Sequence, residues 1–261
     1  MSDNPLGKDT EYVDEYSPEL LVPVPRQNGR DGLGLGADLP FSGVDIWNAY
    51  ELSWLNAKGK PMAAVGEFRF PIDAPNIIES KSLKLYLNSL NSMRYDSFEA
   101  VASLVQGDLR NLCEADVEVR FWPAASAPVP VATNPTGLCI DELDIEVTAY
   151  DVDPGLLDDI TEAGNNVTET LYSHLLRSRC PVTGQPDWAT VFVTYRGDRI
   201  NPDALLKYLI SFRNHDEFHE HCVERIFMDI SRHCQPEDLT VYARYTRRGG
   251  LDINPFRSSA E

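Results

Sequence analysis

The segment SRCPVTGQPDW, residues 178–188, sets Cys180 seven residues ahead of Asp187, with Gly184 and Pro186 between them. A thiolate is a strong nucleophile near neutral pH, and a neighbouring carboxyl can supply or take up the proton that nucleophilic addition requires. A cysteine that opens a loop punctuated by proline and glycine can be held on a rigid scaffold and still be reached from solvent. Residue type alone leaves a second reading open: free cysteine is among the most buried residue types, and Asp187 by itself is a turn-capping aspartate. The other cysteines, Cys113, Cys139, Cys222 and Cys234, are read as small buried hydrophobes.

Two further segments place chemistry-bearing residues at helix starts. In DEFHEHCVE, His219 and Glu220 open a helix, where backbone N–H groups and side chains can converge on a ligand. His219, His221 and Cys222 resemble zinc ligands, but residues two apart on a helix do not share a face, and no CxxC or CxxH supplies the remaining donors. No metal is therefore expected. IIESKSLKLYL sets Glu79 just before a helix, with Lys81 and Lys84 spaced i, i+3. This is either a capped amphipathic helix with a solvated basic stripe, or a phosphate-attracting helix start whose glutamate accepts hydrogen bonds from a heterocycle. YARYTRRGG gathers Arg244, Arg247 and Arg248 beside paired glycines, a place for one small phosphorylated ligand.

These segments must be carried by regular elements, and the hydrophobic pattern supplies them. From Val44, VDIWNAYELSWLN and PMAAVGEFRFPID are β-branched and aromatic runs joined by AKGK, the pattern of a hairpin. Leu83, Tyr86, Leu87 and Leu90 form the stripe of one helix, and Val101, Leu104, Val105 and Leu109 that of a second. DVEVRFWPA and IDELDIEVTAY are expected to be strands. After the polar, acidic stretch 151–166 the order recurs, with ETLYSHLLRSRC and WATVFVTYRG as strands, PDALLKYLISFRN and EFHEHCVERIFMDISRHC as helices, and DLTVYARYTR as a strand. LKLYLNSLNSMRYDSFEAV can be laid on LLKYLISFRNHDEFHEHCV with a short gap, matching Tyr86 to Tyr208, Asp96 to Asp216 and Phe98 to Phe218. A period this long means two related domains. The expectation is an α+β chain of tandem duplicated units, each an antiparallel sheet with two helices on one face. Residues 1–40 read as a loop-rich arm with no core role, 41–150 as the first domain and 151–261 as the second.

Composition narrows the function. The 261 residues are 43% hydrophobic and carry 23 Lys plus Arg against 41 Asp plus Glu, a net charge of −18. That field repels phosphate backbones, so no direct nucleic-acid partner is expected. No apolar run approaches the roughly 20 residues that span a bilayer, and MSDNPLGKDTEY lacks the basic start and apolar stretch of a signal peptide. Five scattered cysteines without export signals point to reduced thiols and a cytoplasmic protein.

ESKSLKLY, CPVTGQPDW, FHEHCV and RRGGLDINPFR, in that order, resemble the characteristic segments of the QueF family, NADPH-dependent 7-cyano-7-deazaguanine reductases of queuosine (tRNA modification) biosynthesis. Their division between the halves is similar to the long, bimodular branch, which implies two tandem T-fold (tunnelling-fold) domains and a homodimer. The resemblance implies that Cys180 attacks the nitrile to form a thioimide, that Asp187 protonates its nitrogen and that His219 assists proton transfer. It implies substrate contacts from Ile78, Glu79, Ser80, His219 and Glu220, and NADPH contacts from Ser80, Lys81, Arg248 and Gly249. No GxGxxG follows a strand, so NADPH would sit outside a Rossmann fold. Two other readings are kept: a zinc-dependent cyclohydrolase on the same fold, for which ligands are lacking, and a non-catalytic purine-binding module.

Overall fold

The computed structural model describes residues 13, 15–124, 126–128 and 136–260; the opening MSDNPLGKDTEY, on which the expectation about export signals rests, lies outside them. The chain runs through β1 (Pro23–Pro25), α1 (Gln27–Arg30), β2 (Ser42–Leu55), β3 (Pro61–Pro71), β4 (Asn76–Ile78), α2 (Ser80–Ser89), α3 (Phe98–Cys113) and β5 (Glu118–Pro123). It continues through β6 (Leu138–Cys139), β7 (Thr161–Arg179), β8 (Pro186–Ile200), α4 (Pro202–Ser211), α5 (His219–Cys234), β9 (Asp238–Tyr245) and β10 (Leu251–Ser258). Among the described residues no helix is long and apolar enough to cross a membrane.

Two compact units interleave along the sequence: Met1–Asn28, Asp45–Val131 and Arg247–Ile253 form one, and Gly29–Val44, Ala132–Thr246 and Asn254–Glu261 the other. They cross the linear division at 40/41 and 150/151, because a strand end joins whichever core its neighbouring strand belongs to. In the first unit the strands run in the order β5-β3-β2 and then the start of β10; in the second the order is the rest of β10, then β9-β8-β7-β6. The ladders β3–β5, β7–β8, β8–β9 and β9–β10 are antiparallel, while the short β6 lies parallel to β7. The fold class is α+β.

The helical stripes are buried as their spacing requires. Leu83, Tyr86, Leu87 and Leu90 join Val101, Val105 and Leu109 in the core of the first unit, with Trp47, Trp54, Phe68 and Phe70 from the hairpin. Leu104 packs against that core half-buried.

The two units repeat one another in detail. α2 and α4 each have 10 residues, and α3 and α5 each have 16. Glu79 caps α2 by accepting from the N–H groups two and three residues on, and Asn201 does the same for α4. The hydroxyl of fully buried Tyr86 donates to Asp108 at 2.5 Å, and that of fully buried Tyr208 donates to Asp229 at 2.8 Å. Ser89 and Ser211 each donate to the carbonyl of the matching tyrosine at 2.6 Å. Both long helices end on a buried cysteine, Cys113 or Cys234, followed by a left-handed cap. The Tyr–Asp pairs move the register of the second helices by one residue, so Phe98 corresponds to His219 and not to Phe218.

Three sequence expectations need correction. IDELDIEVTAY is not a strand: only Leu138–Cys139, just before it, pairs, while Asp141 and Glu142 form a turn and residues 143–150 belong to no ladder. Alternating residue types favour extension but cannot supply a neighbouring edge, and in the first unit the place beside β2 is taken by the start of β10. The polar stretch 151–166 is strand in its last part, since β7 begins at Thr161 and pairs with the end of β8. Nor is the arm without a core role, for Leu21 joins the core of the first unit while Leu33 and Leu35 are buried in the second. Its prolines exclude a central strand or a long helix, yet they fit a short edge strand, and β1 pairs with β4 from Pro23↔Ile78 to Pro25↔Asn76.

Candidate active site

In the second unit, the β7–β8 hairpin carries both reactive candidates. Cys180 directly follows β7 and is half-buried; its N–H donates to the Gln185 carbonyl at 2.9 Å and its carbonyl accepts from Gly184 N–H at 2.8 Å, closing the turn. Asp187 lies in β8, not in the loop, paired with Ser178 of β7. Strand pairing therefore brings the carboxyl opposite a residue two before the thiol. Asp187 is only 6% exposed, while Pro181 to Pro186 lie open to solvent.

The hairpin is fastened to the start of α5. Arg179 forms a forked pair with Asp216 at 2.8 and 2.9 Å, its N–H donates to the His215 carbonyl, and its carbonyl accepts from Glu217 N–H. This clamp fixes the residue next to Cys180 against the segment leading into α5. His219, the first residue of α5, places Nε2 3.2 Å from Asp187 Oδ2 and stacks flat on Tyr245, ring centroids 3.7 Å apart and planes 9° from parallel. Its Nδ1 is buried with no hydrogen-bond partner. Glu220, next on the helix, is 1% exposed. An aspartate–histidine pair with a thiol on the same hairpin is what proton-assisted nucleophilic addition requires.

Behind this layer, burial first and then Glu217 push the Cys222 thiol up, where it faces Ser178 and Tyr245. Burial alone would raise Glu217, but hydrogen bonds from His215 and Arg225 outweigh it and hold the carboxyl below its ordinary 4.5. A depressed folded value contributes stability that is present above the unfolded value and lost as pH falls through the folded one. Glu217→Gln is therefore expected to be less stable by about 1–3 kcal/mol at neutral pH, where it leaves Arg225 without its carboxylate. The gap should shrink in acid as the wild-type group protonates. Thermal melts at pH 7 and pH 4 measure this, and a gap that grows in acid contradicts it.

The first turn of α5 is backed by the arm. A Cβ on Gly29 would lie 2.3 Å from His221 Cγ and Nδ1, so only glycine fits against that buried ring. Glu224, one turn beyond Glu220, is held by Arg30 at 2.7 Å and by Arg257 at 3.0 Å, all three buried. Gly29→Ala is expected to lower stability by about 1–3 kcal/mol through overpacking against His221, read as a fall in melting temperature.

In the first unit a separate group forms around α2. Ile78 ends β4 and is 2% exposed; Glu79 follows it at 3%. The Glu79 carboxylate accepts from Lys81 N–H at 2.9 Å and Ser82 N–H at 2.8 Å, and its own N–H donates to Val22, so the arm also fixes this residue. Burial raises Glu79 above its ordinary 4.5, against the pull of those N–H groups and of the Lys81 and Arg248 charges. Arg248 and Gly249 sit in a turn closed by Arg248 N–H to Leu251 O at 2.8 Å, with Arg247 over the Tyr50 ring at 4.9 Å. Gly249 and Gly250 are left-handed, and a Cβ on Gly250 would lie 2.6 Å from the Glu51 carboxylate. Ser80 and Lys81 are half-buried beside Glu79. A bare backbone turn with arginines next to lysines at a helix start fits a phosphate-bearing dinucleotide such as NADPH.

The sequence reading missed Tyr245, the floor beneath His219, and the Arg179–Asp216 clamp. Tyr245 was legible only from pairing, since β9 sets it opposite Ala189 of β8. Cys113, Cys222 and Cys234 are buried as expected; Cys139 is not, being half-exposed on the short β6.

Comparison with known proteins gives the class. Residues 12–121 match the family model described as "Nitrile reductase, 7-cyano-7-deazaguanine-reductase N-term", and residues 186–261 that of "QueF-like protein". A protein of Dechloromonas aromatica named NADPH-dependent 7-cyano-7-deazaguanine reductase is 57% identical over 259 residues, 99% of this chain and 91% of its own. One of Bordetella parapertussis with the same name is 54% identical across 100% of this chain and 95% of its own. This chain belongs to the QueF family of nitrile reductases. A solved structure, the archaeosine synthase QueF-Like in the apo form, aligns with 38% of this chain and 98% of its own at 19% identity and a TM-score of 0.33.

Proposed function

We propose that this chain reduces the nitrile of 7-cyano-7-deazaguanine to the primary amine 7-aminomethyl-7-deazaguanine at the expense of NADPH, a step of queuosine biosynthesis. The observation that carries the reading is the Asp187–His219 contact at 3.2 Å on the hairpin that bears Cys180. The family relationship, to proteins named NADPH-dependent 7-cyano-7-deazaguanine reductase, supports the choice of substrate and reductant.

A nitrile carbon is a poor hydride acceptor. Cys180 as thiolate adds to that carbon while Asp187, protonated, gives its proton to the nitrile nitrogen, leaving a covalent thioimide. When bound, NADPH supplies hydride, and the four-electron change from nitrile to amine takes two equivalents. His219 passes protons to the nitrogen as the C=N bond is reduced, with Tyr245 fixing the plane of its ring. Glu220, next to His219 on α5, accepts from the N–H edge of the base. Ser80, Lys81, Arg248 and Gly249 would hold the cofactor's phosphates, since a guanidinium suits paired oxyanion contacts. A free base suits a chain of net charge −18 better than a nucleic acid does. A cytoplasmic homodimer is the assembly this reading carries.

The test is stoichiometry. With limiting 7-cyano-7-deazaguanine, two NADPH are expected to be oxidised for each amine formed, followed by absorbance and by chromatography of the base. One NADPH per product, or a product other than the amine, overturns the reading.

A further inference from the structure

We propose that Cys139, Asp141 and His174 form a binding site for one zinc-class divalent cation, separate from the catalytic hairpin. The Cys139 Sγ, an Asp141 carboxylate oxygen and a His174 ring nitrogen all lie within 4.8 Å of one another. Ligands around a tetrahedral zinc, bound at about 2.0–2.3 Å, are about 3.3–3.8 Å apart, so small side-chain rotations bring these three to bonding distance. Thiolate and imidazole together select zinc or cobalt over magnesium or calcium, which prefer oxygen donors. A fourth position would be left to water.

The backbone builds this cluster. Gly137 has φ 128°, and a Cβ there would lie 2.5 Å from the Thr170 carbonyl oxygen, so the segment reaches β7 only through glycine. Beyond it Leu138 pairs with Leu171 and Cys139 with Tyr172, and Ile140 N–H donates to the Tyr172 carbonyl at 3.0 Å. Both Asp141 carboxylate oxygens accept from His174 N–H, at 3.3 and 3.0 Å. His174 Nδ1 lies 2.8 Å from Thr190 Oγ1, an outer partner of the kind that orients a ligating ring. Among the described residues none of the three side chains is paired with a lysine or arginine, so no fixed cation occupies the place. The second such cluster, His215, Glu217 and Cys222, differs in this respect. There the Arg225 guanidinium already binds Glu217 at 3.1 Å and Cys222 is fully buried, so a metal has no room in the charge balance.

On binding, the Cys139 S–H proton goes to solvent, Asp141 ligates as carboxylate and His174 as neutral imidazole, so affinity falls on acidification. The cation would staple the segment around β6 to β7. His174 precedes Cys180 by six residues of strand, about 20 Å at the usual rise, so the catalytic thiol is not a ligand.

The full-length chain, stripped of metal, is titrated with Co²⁺ alone and then with Zn²⁺. One Co²⁺ per chain is expected, with thiolate-to-cobalt charge-transfer absorption that one equivalent of Zn²⁺ abolishes. The absorption should persist in Cys180→Ala and Cys222→Ser, disappear in Cys139→Ser and His174→Ala, and need at least about tenfold more Co²⁺ in Asp141→Asn. In the wild type, Zn²⁺ should also protect Cys139 from alkylation, read by peptide mass spectrometry without any variant. No thiolate band, a band retained in Cys139→Ser, or alkylation of Cys139 undiminished by Zn²⁺ each overturns the proposal.

Discussion

Cys180→Ala is expected to form no covalent adduct with 7-cyano-7-deazaguanine and to lose nitrile reduction by about four orders of magnitude or more. The wild type, mixed with this base in the absence of NADPH and weighed intact, should gain the mass of one whole substrate molecule. Addition without reduction is the reason: the thioimide retains every atom of the nitrile, and nothing leaves. No other thiol can take over. Burial pushes Cys113 and Cys234 up to about 12, and burial together with the Glu217 charge pushes Cys222 higher still, so none offers a thiolate at neutral pH. Cys139 lies on β6 opposite Tyr172, eight residues along β7 from the turn that bears Cys180. An adduct in Cys180→Ala, or none in the wild type, removes the covalent mechanism and leaves the fold untouched.

The second large effect is expected at Asp187. Asp187→Asn should slow adduct formation by about 10²- to 10⁴-fold, the usual worth of a positioned general acid, while melting stays close to wild type. The amide keeps the shape of the carboxyl in its 6% exposed place between β7 and α5, but has no acidic proton to give. Rapid quenching followed by intact mass gives the rate directly, before any hydride step. His219 then separates two explanations of a slow variant. If Asp187 merely orients the imidazole, His219→Ala should slow adduct formation as much as Asp187→Asn does; as proton donor, Asp187 should matter more in this first step. Asp187→Asn reacting at the wild-type rate contradicts the assignment.

How much of this was legible beforehand depends on whether a signal is local. The stripes of Leu83, Tyr86, Leu87 and Leu90, and of Val101, Val105 and Leu109, were readable because a helix buries residues three and four apart whatever it packs against. Glu79 was recognisable as a helix start for the same reason: the donors it accepts from are two and three residues away. IDELDIEVTAY failed because a strand needs a partner, and alternation says nothing about which edge is free. The arm was misjudged because Leu21, Leu33 and Leu35 bury themselves singly, against cores built by residues far along the chain.

The duplication shows the same division. Sequence likeness indicated two related halves, but only the buried Tyr86–Asp108 and Tyr208–Asp229 bonds set the register between them. With that register, Phe98 stands in the first unit where His219 stands in the second, and Asn201 stands in the second where the first has Glu79. Each half keeps the scaffold, and the candidate residues Cys180, Asp187 and His219 all lie in the second.

By itself, then, the amino-acid sequence determined most of the elements, the repeat and the candidates for the reactive groups, since residue type, spacing and period are properties of the chain. The tertiary structure alone decided that Asp187 meets His219, that Tyr245 lies beneath that ring and that Arg179 grips Asp216 to hold the thiol's neighbour in place. Those contacts join residues separated by tens of positions, and only strand pairing and helix packing can bring such residues to within 4 Å of one another.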